Sequence, residues 1–471
     1  MSCAQIFVPL HSIFMKFSDY IPYYRRNLKV AFPVMLTQVG AALTGLFDSI
    51  MVGHYATTDF AAVSFSNALF FTFMVFGMGA IMGVTPLVGY EVGQQEMGED
   101  RTSNIASWLQ NGLWFTLMVS ALMVLILSGC IPLLNYFGQD PEVITAARPY
   151  YILIVLSIIP FLMYCLCKQF LEGLGNTMVA MVISLGMNLL NIGLNWVCIF
   201  GHCGLEPMGA TGAGIATLIS RLLMPILFIV VIWCKKNWRV YIQLFCRERT
   251  SKAQISELVR IGAPIGMQSV LEAFIFTASF VFVGWISKEA LAAHQVANQI
   301  ADLTFMLATG IGAATTIRVS IQLGRGDLHA VKMASNASIH LVLLINTIGA
   351  LLMISLRELI PCLFTEDVAV REVASTLLLF AGMFQLADGM QCVGAGMLRG
   401  IQDVKWPMVM AFIAYIVIAL PIGLLCMFTL DMGPKGMWVG FIVGLSMAAI
   451  LFHTRFRKKT RKMELKFGSF R

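Results

Sequence analysis

Residues 261–284 read IGAPIGMQSVLEAFIFTASFVFVG, and Glu272 is the only ionisable side chain in this run. A helix of about 20 apolar residues crosses the hydrocarbon core of a bilayer, which is roughly 30 Å thick. A carboxylate there costs about 2.5–3.5 kcal/mol, so it usually faces a protein interior or a watery cavity and marks an ion or substrate path. Gln268, Glu272 and Ser279 share one helical face. The stretch therefore predicts a membrane-spanning helix with a functional acid; the alternative is a protonated glutamic acid that packing tolerates.

The composition extends this interpretation to the whole chain. The 471 residues are 58% hydrophobic and 12% charged, with a mean hydropathy of +0.80, whereas soluble domains carry about 25% charged residues. The 11 cysteines form no CxxC pair and no metal-ligand spacing, so we interpret them as small apolar side chains. No P-loop, HExxH or GxSxG motif and no evident signal peptide occurs. We expect a membrane protein that is not an enzyme and needs no cofactor beyond a coupling ion.

Apolar runs separated by short polar or Gly/Pro segments predict twelve membrane spans. They lie at 30–52, 62–86, 106–134, 147–167, 177–200, 211–234, 258–285, 291–320, 334–356, 370–396, 405–428 and 436–454. Most connectors between them are too short to contain a soluble domain. The predicted fold class is an all-α polytopic membrane protein with twelve transmembrane helices.

The longest polar connector divides the chain near its midpoint and leaves six spans on each side. An even number of spans returns the second half to the membrane in the orientation of the first, so the halves are parallel. The predicted organisation is a cytoplasmic N-terminal segment 1–29, an N-terminal six-helix lobe 30–234, an inter-lobe loop 235–257, a C-terminal six-helix lobe 258–454 and a basic cytoplasmic tail 455–471.

Lysine and arginine are concentrated in the loops of one side, and this bias orients a membrane protein with its basic loops in the cytoplasm. These residues are Arg25, Arg26, Lys29, Arg101, Lys168, Lys235, Lys236, Arg239, Arg247, Arg249, Lys252, Arg325, Lys332, Arg399, Lys405, Arg455, Arg457, Lys458, Lys459, Arg461 and Lys462. We therefore expect both termini and the central loop to be cytoplasmic. The basic tail also fits a contact with anionic membrane lipids.

The two halves contain an internal repeat. A shift of 231 residues places Pro33 on Pro264, Val52-Gly53 on Val283-Gly284, Ala61-Ala62 on Ala292-Ala293, Asn67 on Asn298 and Gly93 on Gly324. With small gaps, Leu171-x-Gly173 matches Leu398-x-Gly400, and Met208-Gly209-x-x-Gly212 matches Met432-Gly433-x-x-Gly436. The repeat predicts two bundles related by an axis along the membrane normal, with a substrate site near the midplane between them.

The acidic residues of the spans do not follow the repeat. Ala41 stands opposite Glu272, and Phe161 stands opposite Asp388. Asp302 adds a third acid to the second half. Clustered carboxylates disfavour simultaneous ionisation, so a site built from these acids would take up a proton or a small cation.

Further polar residues accompany the acids at helical spacing. In the second half these are Gln295 with His294, Asn298 and Gln299 in the eighth span, and Gln385 with Gln391 in the tenth. His294 alone favours a packing role. In the first half, Asp48 is either functional or a solvated capping residue. Asn191 and Asn195 share one face of the fifth span, where they form interhelical hydrogen bonds or line a cavity.

Several stretches carry a family resemblance. DSIMVGHYATTDFAAVSFSN from Asp48, LAAHQVANQIADLTFMLATGIGAATTIRVSIQLGRGD from Leu291, and QLADGMQ around Asp388 resemble the multidrug and toxic compound extrusion (MATE) family, with its NorM-like prokaryotic branch most similar. The resemblance implies a V-shaped, two-lobed exporter that exchanges sodium ions or protons for cationic amphiphilic drugs. By motif position it implies coupling carboxylates at Glu272 and Asp388. Phe384 replaces a tyrosine that related proteins can carry, which removes a hydroxyl ligand.

The predicted function is cation-coupled antiport of cationic amphiphilic drugs and toxic compounds by alternating access. The resemblance also implies a link to cation coupling for Asp48, Asn191 and Asn195 in the first half. The predicted coupling residues are therefore Glu272, Asp388 and Asp48, of which Glu272 and Asp388 would hold the ion if it is sodium. The predicted cavity-lining residues are Asn191, Asn195, Gln268, Phe384, Gln385, Asp302 and Gln295. We expect a monomer in a bacterial inner membrane that binds small cationic organic substrates and lipids but no nucleic acid. The alternatives are a lipid or lipid-linked sugar flippase of the same superfamily, and a passive channel or receptor.

Overall fold

A computed structural model describes residues 17–136, 140–245 and 250–468. Within these ranges twelve helical segments are long and apolar enough to cross a membrane. The all-α fold class and the twelve predicted spans are therefore confirmed. Arg247 and Arg249 of the predicted central loop lie outside the described residues, as do the start of the predicted N-terminal segment and the last three residues of the predicted tail.

The helices of the first half form six of the spans, with α2 and α3 sharing one and α5 and α6 sharing another. They are α1 Phe17–Tyr55, α2 Thr57–Ile81, α3 Val84–Glu96, α4 Thr102–Cys130, α5 Pro141–Leu156, α6 Ile158–Gly173, α7 Thr177–Phe200, α8 Gly209–Cys234 and the short α9 Lys236–Phe245. A 3₁₀ turn, Pro132–Tyr136, follows α4.

The second half forms the other six spans, and its eleventh is irregular. The helices are α10 Lys252–Gly284, α11 Lys288–Gly324, α12 Leu328–Ser355, α13 Leu359–Cys362, α14 Val368–Gly400, α15 Lys405–Phe412, α16 Leu420–Leu424 and α17 Pro434–Gly468. Two π-helical segments, Ile413–Ala419 and Leu425–Thr429, join α15 and α16 into the eleventh span. π-Helical turns are rare and occur frequently at functional sites.

Polar side chains cap the first turns of several spans. In the second half, Ser287 accepts a hydrogen bond from the Ala290 amide at 3.0 Å, and Asp327 accepts one from the Ala330 amide at 2.8 Å. Such caps satisfy amide groups that a helix start leaves unpaired, and each contributes about 1 kcal/mol. They explain why α11 and α12 begin directly after Ser287 and Asp327.

The first and last spans extend beyond the predicted apolar runs. α1 begins at Phe17 and not near residue 30, and the buried Asn27 in its added turns donates to the carbonyl oxygen of Ala334 at 2.9 Å. α17 continues to Gly468 because Phe456 is buried and Arg455 is paired with Asp403 at 2.9 Å. Most of the predicted basic tail is therefore a helical extension packed against the second half.

The predicted inter-lobe loop is also partly helical. It contains the amphipathic α9, whose Tyr241 is buried with its ring 5.8 Å from that of Phe170. Lys235 lies over the ring of Trp238 at 4.5 Å. The first turn of α10 already begins at Lys252. The charge-rich connector therefore contains a helix, α9, whose apolar face packs on the first half.

Two buried apolar clusters follow the two halves of the chain, with an exchange at their starts and with Val404 of the second half also in the first cluster. The cluster of the first half also takes in Leu258, Ile261 and Ile265 from α10. The cluster of the second half takes in Ala31 and Met35 from α1. Each half therefore inserts the beginning of its first span into the core of the other, which ties the two cores together.

Equivalent residues of the two halves meet on the axis that relates them. A Cβ atom at Gly93 would lie 2.9 Å from the Cα of Gly324, and one at Gly324 would lie 3.0 Å from the Cα of Gly93. A Cβ atom at Gly89 would lie 3.2 Å from the Cβ of Ser320, which is again 231 residues away. Only on a symmetry axis does a residue contact its own equivalent, so the predicted repeat is also a structural one.

A hydrogen bond is also repeated. The Thr85 hydroxyl donates to the carbonyl oxygen of Gln169 at 3.0 Å, and the Thr316 hydroxyl donates to that of Gly396 at 3.1 Å. Both pairs join the repeat-equivalent helices α3 with α6 and α11 with α14. The matched positions thus make matched contacts.

The close contacts between the halves run from the middle of the bundle to one end. We call this end, which carries the connectors 97–101, 325–327 and 401–404, the basic face. Gly79 packs on Gly266 near the middle. Glu96 forms an ion pair with Arg325 across the halves at the face itself. The halves are thus held together on the side that carries the basic loops.

Candidate functional site

The predicted coupling acids of the second half lie together. α10 and α14 bring Glu272 and Asp388 next to Cys392, with one carboxylate oxygen of each acid and the Cys392 sulfur all within 4.8 Å of one another. The Gln391 amide donates to Glu272 Oε1 at 2.7 Å. Asp388 is completely buried, and neither of its carboxylate oxygens has a hydrogen-bond partner among the described residues. A buried, unpaired carboxylate is unfavourable unless a proton or a cation joins it.

Two residues that sequence analysis did not assign to the site surround these acids. Arg399, on the last turn of α14, is close enough to Glu272 for their charges to interact. Tyr415, in the first π-helical segment, interacts electrostatically with Glu272 and Asp388, and its buried hydroxyl has no partner. The eleventh span thus supplies a phenol near the acids, whereas the tenth span has Phe384 at the position where related proteins can carry a tyrosine.

Three predicted cavity-lining residues of the second half are buried between helices. Phe384 is 2% exposed, with its ring 5.6 Å from that of Trp438. Gln385 is fully buried and donates to the carbonyl oxygen of Ala301 at 3.2 Å. Gln268 is 1% exposed. In this conformation Phe384 and Gln385 contact neighbouring helices, and the role of the three side chains in lining a cavity stays a prediction.

Gln295 and Asp302 are the exposed members of the predicted set. Both lie on the exposed face of α11. The charge of Asp302 interacts with that of Asp388. All three predicted acids of the second half therefore share one electrostatic environment, with Glu272 and Asp388 as its core.

His294 is buried and serves packing. Its Nε2 lies 2.8 Å from the Ser279 hydroxyl, and Trp438 donates to its Nδ1 at 3.2 Å. Ser279 therefore pairs with His294, although it shares a helical face with Glu272.

The polar residues of the first half form one chain of hydrogen bonds. Asn195 donates to Asp48 at 2.5 Å and to Asn191 at 3.3 Å, and Asn191 donates to Ser220 at 3.3 Å. Asn191 and Asn195 are both buried. Their amides therefore join α1, α7 and α8, and Asp48 belongs to this network and does not act as a solvated cap.

An arginine inside the first half was missed by sequence analysis. Arg221 of α8 donates to the Ser157 hydroxyl at 2.7 Å, and its guanidinium lies 4.7 Å from the centre of the Phe161 ring. Its charge interacts with that of Asp48. The signal that identified Glu272, one charge inside an apolar span, also marks Arg221. The structure thus places an arginine near an acid in each half, Arg221 near Asp48 and Arg399 near Glu272.

A bundle of twelve membrane-crossing helices, built from two parallel repeats with an acid and a nearby arginine in each, defines the class of repeat-built membrane transporters. The sequence profile of the MatE family matches residues 33–197 and 264–425, two segments that begin 231 residues apart at the paired prolines of the repeat. The chain belongs to this family, whose name stands for multidrug and toxic compound extrusion.

Curated relatives from bacteria match almost the whole chain. The probable multidrug resistance protein NorM of Xanthomonas axonopodis pv. citri is 34% identical over 436 residues, which cover 92% of this chain and 94% of the relative. The multidrug resistance protein NorM of Photobacterium profundum is 31% identical, with 92% and 95% covered. The chain thus resembles the NorM-like branch along its length.

Solved structures confirm the fold. The crystal structure of a MATE protein in the bent conformation superposes with a TM-score of 0.83 at 18% identity and covers 96% of this chain and 99% of that one. The eukaryotic MATE transporter AtDTX14 gives a TM-score of 0.81 at 18% identity, with 95% and 99% covered.

Proposed function

We propose that the protein exports cationic amphiphilic compounds in exchange for an inward-moving proton or sodium ion. The observation that carries this proposal is the contact between Glu272 and Asp388, whose buried carboxylate has no hydrogen-bond partner. Two adjacent acids, one of them without a partner, form a site that a cation stabilises. The names of the bacterial relatives, multidrug resistance proteins, support an organic cation as the exported substrate.

In the proposed cycle, the coupling cation and the substrate alternate at the same negative charge. Cation binding at Glu272 and Asp388 neutralises the acids and releases the cationic substrate outside. Loss of the cation inside restores the negative charge, which attracts the next substrate. Gln391 orients Glu272 through its 2.7 Å hydrogen bond. Each net charge moved along the membrane potential supplies about 2.3 kcal/mol per 100 mV.

Asp48 provides a second position for coupling in the first half. It is already bound by Asn195 and lies near the charge of Arg221. We propose that protonation or cation binding there loosens this network and changes how α1 packs on α7. Asp48 thus adjusts the conformation of the first half, whereas the acids of the second half carry the ion.

We propose that both termini face the cytoplasm of a bacterial inner membrane. The basic residues of the connectors at the basic face support this orientation, because lysine and arginine are retained on the cytoplasmic side. In that orientation the contacts between the halves close the cytoplasmic side, and the substrate path opens outward. We propose a monomer, since each chain already contains both lobes.

The test is substrate efflux from proteoliposomes that contain the purified chain, with a proton or a sodium gradient imposed separately. We expect one gradient to drive export of an ethidium-like cation. Glu272→Gln and Asp388→Asn should each reduce the rate by at least about tenfold, equivalent to about 1.4 kcal/mol. Glu372→Gln, on an exposed turn of α14, is the matched control. Normal export by the Glu272→Gln/Asp388→Asn double variant would refute the coupling scheme.

A flippase for an anionic lipid or a lipid-linked sugar is the second candidate. The observations that favour it are Arg221 within the sixth span and Arg399 on the last turn of α14 near Glu272, since arginines suit a phosphate group. The same proteoliposomes distinguish the two. Movement of a fluorescent lipid, with no movement of a cationic drug under either gradient, would support the flippase. A passive channel would instead give flux without accumulation.

A further inference from the structure

We propose that Glu272, Asp388 and Cys392 form a binding site for a thiophilic divalent cation of the zinc and cadmium class, with the Cys392 sulfur as one ligand. Binding itself does not depend on the proposed function. Only its expected consequence, inhibition of exchange, rests on that function. A transporter whose acids are surrounded only by carbon atoms and amide groups would lack this site, because it would have no thiol ligand.

The geometry brings three suitable ligand atoms together. Two carboxylate oxygens and the sulfur lie within 4.8 Å of one another. Zinc binds sulfur at about 2.3 Å and carboxylate oxygen at about 2.0–2.2 Å, so ligand atoms around a tetrahedral ion stand roughly 3–4 Å apart. Small side-chain rotations close the difference. Cys392 follows Asp388 by four residues on α14 and therefore projects from the same helical face.

A second observation points to a ligand. Asp388 is completely buried and both of its carboxylate oxygens lack a hydrogen-bond partner. Structures leave few buried polar atoms unpaired, and each one requires an explanation such as an ion. Gln391 holds one oxygen of Glu272, as outer partners orient the ligands of metal sites.

Charge and ligand type select the class of ion. Two carboxylates and a thiolate carry three negative charges, which a divalent ion and the nearby guanidinium of Arg399 balance. Thiolates are soft ligands that favour zinc and related ions over magnesium, calcium or alkali cations. The ion displaces the proton of the Cys392 thiol and any proton that the two carboxyl groups hold, and these protons pass to water.

Cadmium alone is the probe, because cadmium bound to a thiolate absorbs in the ultraviolet. The purified full-length chain is titrated with cadmium, and zinc is then added as a competitor. We expect a charge-transfer band that Cys392→Ser removes in part and that zinc reverses. Glu272→Gln and Asp388→Asn should weaken cadmium binding at this site by at least about tenfold, since each removes a charged ligand. Cys426→Ser, at another buried cysteine of the second half, is the control.

A band unchanged by Cys392→Ser would overturn the proposal. So would a Cys392-dependent band whose affinity is unaffected by both acid variants, because the thiol would then act without the carboxylates. Cys392→Ala provides a second test if the serine variant elutes as an aggregate. Zinc inhibition of exchange, measured against each variant's own metal-free rate, should be lost with Cys392. If no exchange occurs in the wild type, the proposed function fails while the cadmium band still decides this site.

Discussion

At the scale of single residues, the molecule places charges inside the membrane and surrounds them with specific partners. Arg221 is held by Ser157 and by aromatic rings, and its charge lies near Asp48. Arg399 has the same relation to Glu272. A charge that loses its partner in such surroundings is costly, because the interior offers little compensation for it. We therefore expect these arginines both to balance the charge of the acids and to contribute to the stability of the fold.

Replacing Arg221 should reveal this dependence. We expect Arg221→Met to lower the free energy of unfolding by about 1–3 kcal/mol, because Asp48 loses its counter-charge and Ser157 loses its donor. Asp48→Asn should restore part of this loss in the double variant. Thermal unfolding of the detergent-solubilised protein measures both effects. Arg260→Met, at an exposed arginine, should change little, and strictly additive effects of Arg221→Met and Asp48→Asn would contradict the pairing.

Tyr415 offers a test of its unpaired hydroxyl. Tyr415→Phe should leave the thermal midpoint unchanged or raise it, because the variant removes a buried polar group that has no partner. If that hydroxyl contributes to ion binding, the concentration of coupling ion that gives half-maximal exchange should rise several-fold. Tyr164→Phe is the contrasting control, since its hydroxyl is paired with Ser184 at 2.8 Å. A lowered midpoint with unchanged ion dependence would contradict this role.

Sequence patterns predicted the residues of the acid site better than its surroundings. Glu272 and Asp388 stand out because one charge inside an apolar span is conspicuous in the sequence alone. Cys392 and Tyr415 carry no such signal, since their roles depend on how α10, α14 and the π-helical segment pack. Phe384 packs against aromatic neighbours in this conformation, a contact that its position in the sequence does not indicate. Periodicity identifies the face of a helix, and only packing decides what that face contacts.

At the scale of elements, the boundaries of helices follow packing and capping more than apolar length. Sequence analysis predicted twelve spans correctly but ended the last one near residue 454. The extension of α17 is polar in composition, yet its inner face carries the buried Phe456 and Thr460. Hydropathy alone reports the lipid-facing length of a helix. It does not report the length that packs against other helices outside the bilayer.

The extension of α17 should therefore matter for stability. Truncation after Thr454 removes the burial of Phe456 and the ion pairs of Asp403, and we expect it to cost about 2–3 kcal/mol. The thermal midpoint of the purified protein measures this cost. Truncation after Leu465 is the control, because it keeps these contacts. Equal midpoints for the two truncations would show that the extension is dispensable.

The close approach of α3 and α11 leads to a prediction about the basic face. Gly93→Val should force these helices apart, because the added Cβ would clash with backbone atoms of α11, which cannot rotate away as a side chain can. A cysteine introduced at the buried Gln322 (2% exposed) should then react several-fold faster with a hydrophilic maleimide. Gly129→Val is the control, since no atom lies within 4 Å of its added Cβ. Equal labelling in both variants would mean that the contact does not hold the face closed.

At the scale of the whole molecule, the backbone repeats between the two halves, but the charges inside the spans do not. Glycines, hydrogen bonds and helix order repeat between the halves, whereas the acids do not: Asp48 and Glu272 have Ser279 and Ala41 at the equivalent positions. The repeat was predictable from sequence because small residues mark the contacts that both halves need. The conformation was not predictable, since it depends on contacts between halves that are distant in the chain.

The proposed orientation gives a prediction for the complete chain. A green fluorescent protein fused to the C-terminus should fluoresce, and alkaline phosphatase fused there should be inactive, because the basic residues hold that end in the cytoplasm. Fusions after Glu366, in the connector before α14, should show the opposite pattern. Cell fluorescence and phosphatase activity measure both. Active phosphatase at the C-terminus would reverse the orientation and with it the proposed direction of export.

The contact between Gly93 and Gly324 also bears on ancestry. Duplication of one six-helix gene accounts for the repeat, and before fusion its product would have paired with a second copy of itself. In such a homodimer a mutation at an axial position would change both sides of the interface. Two identical larger side chains would then meet on the axis, where there is room for neither. After fusion of the two copies, positions away from the axis could change in one half without changing in the other. The axial glycines are thus the positions that such a dimer would have required to stay small, whereas the acids have no equivalents in the other half.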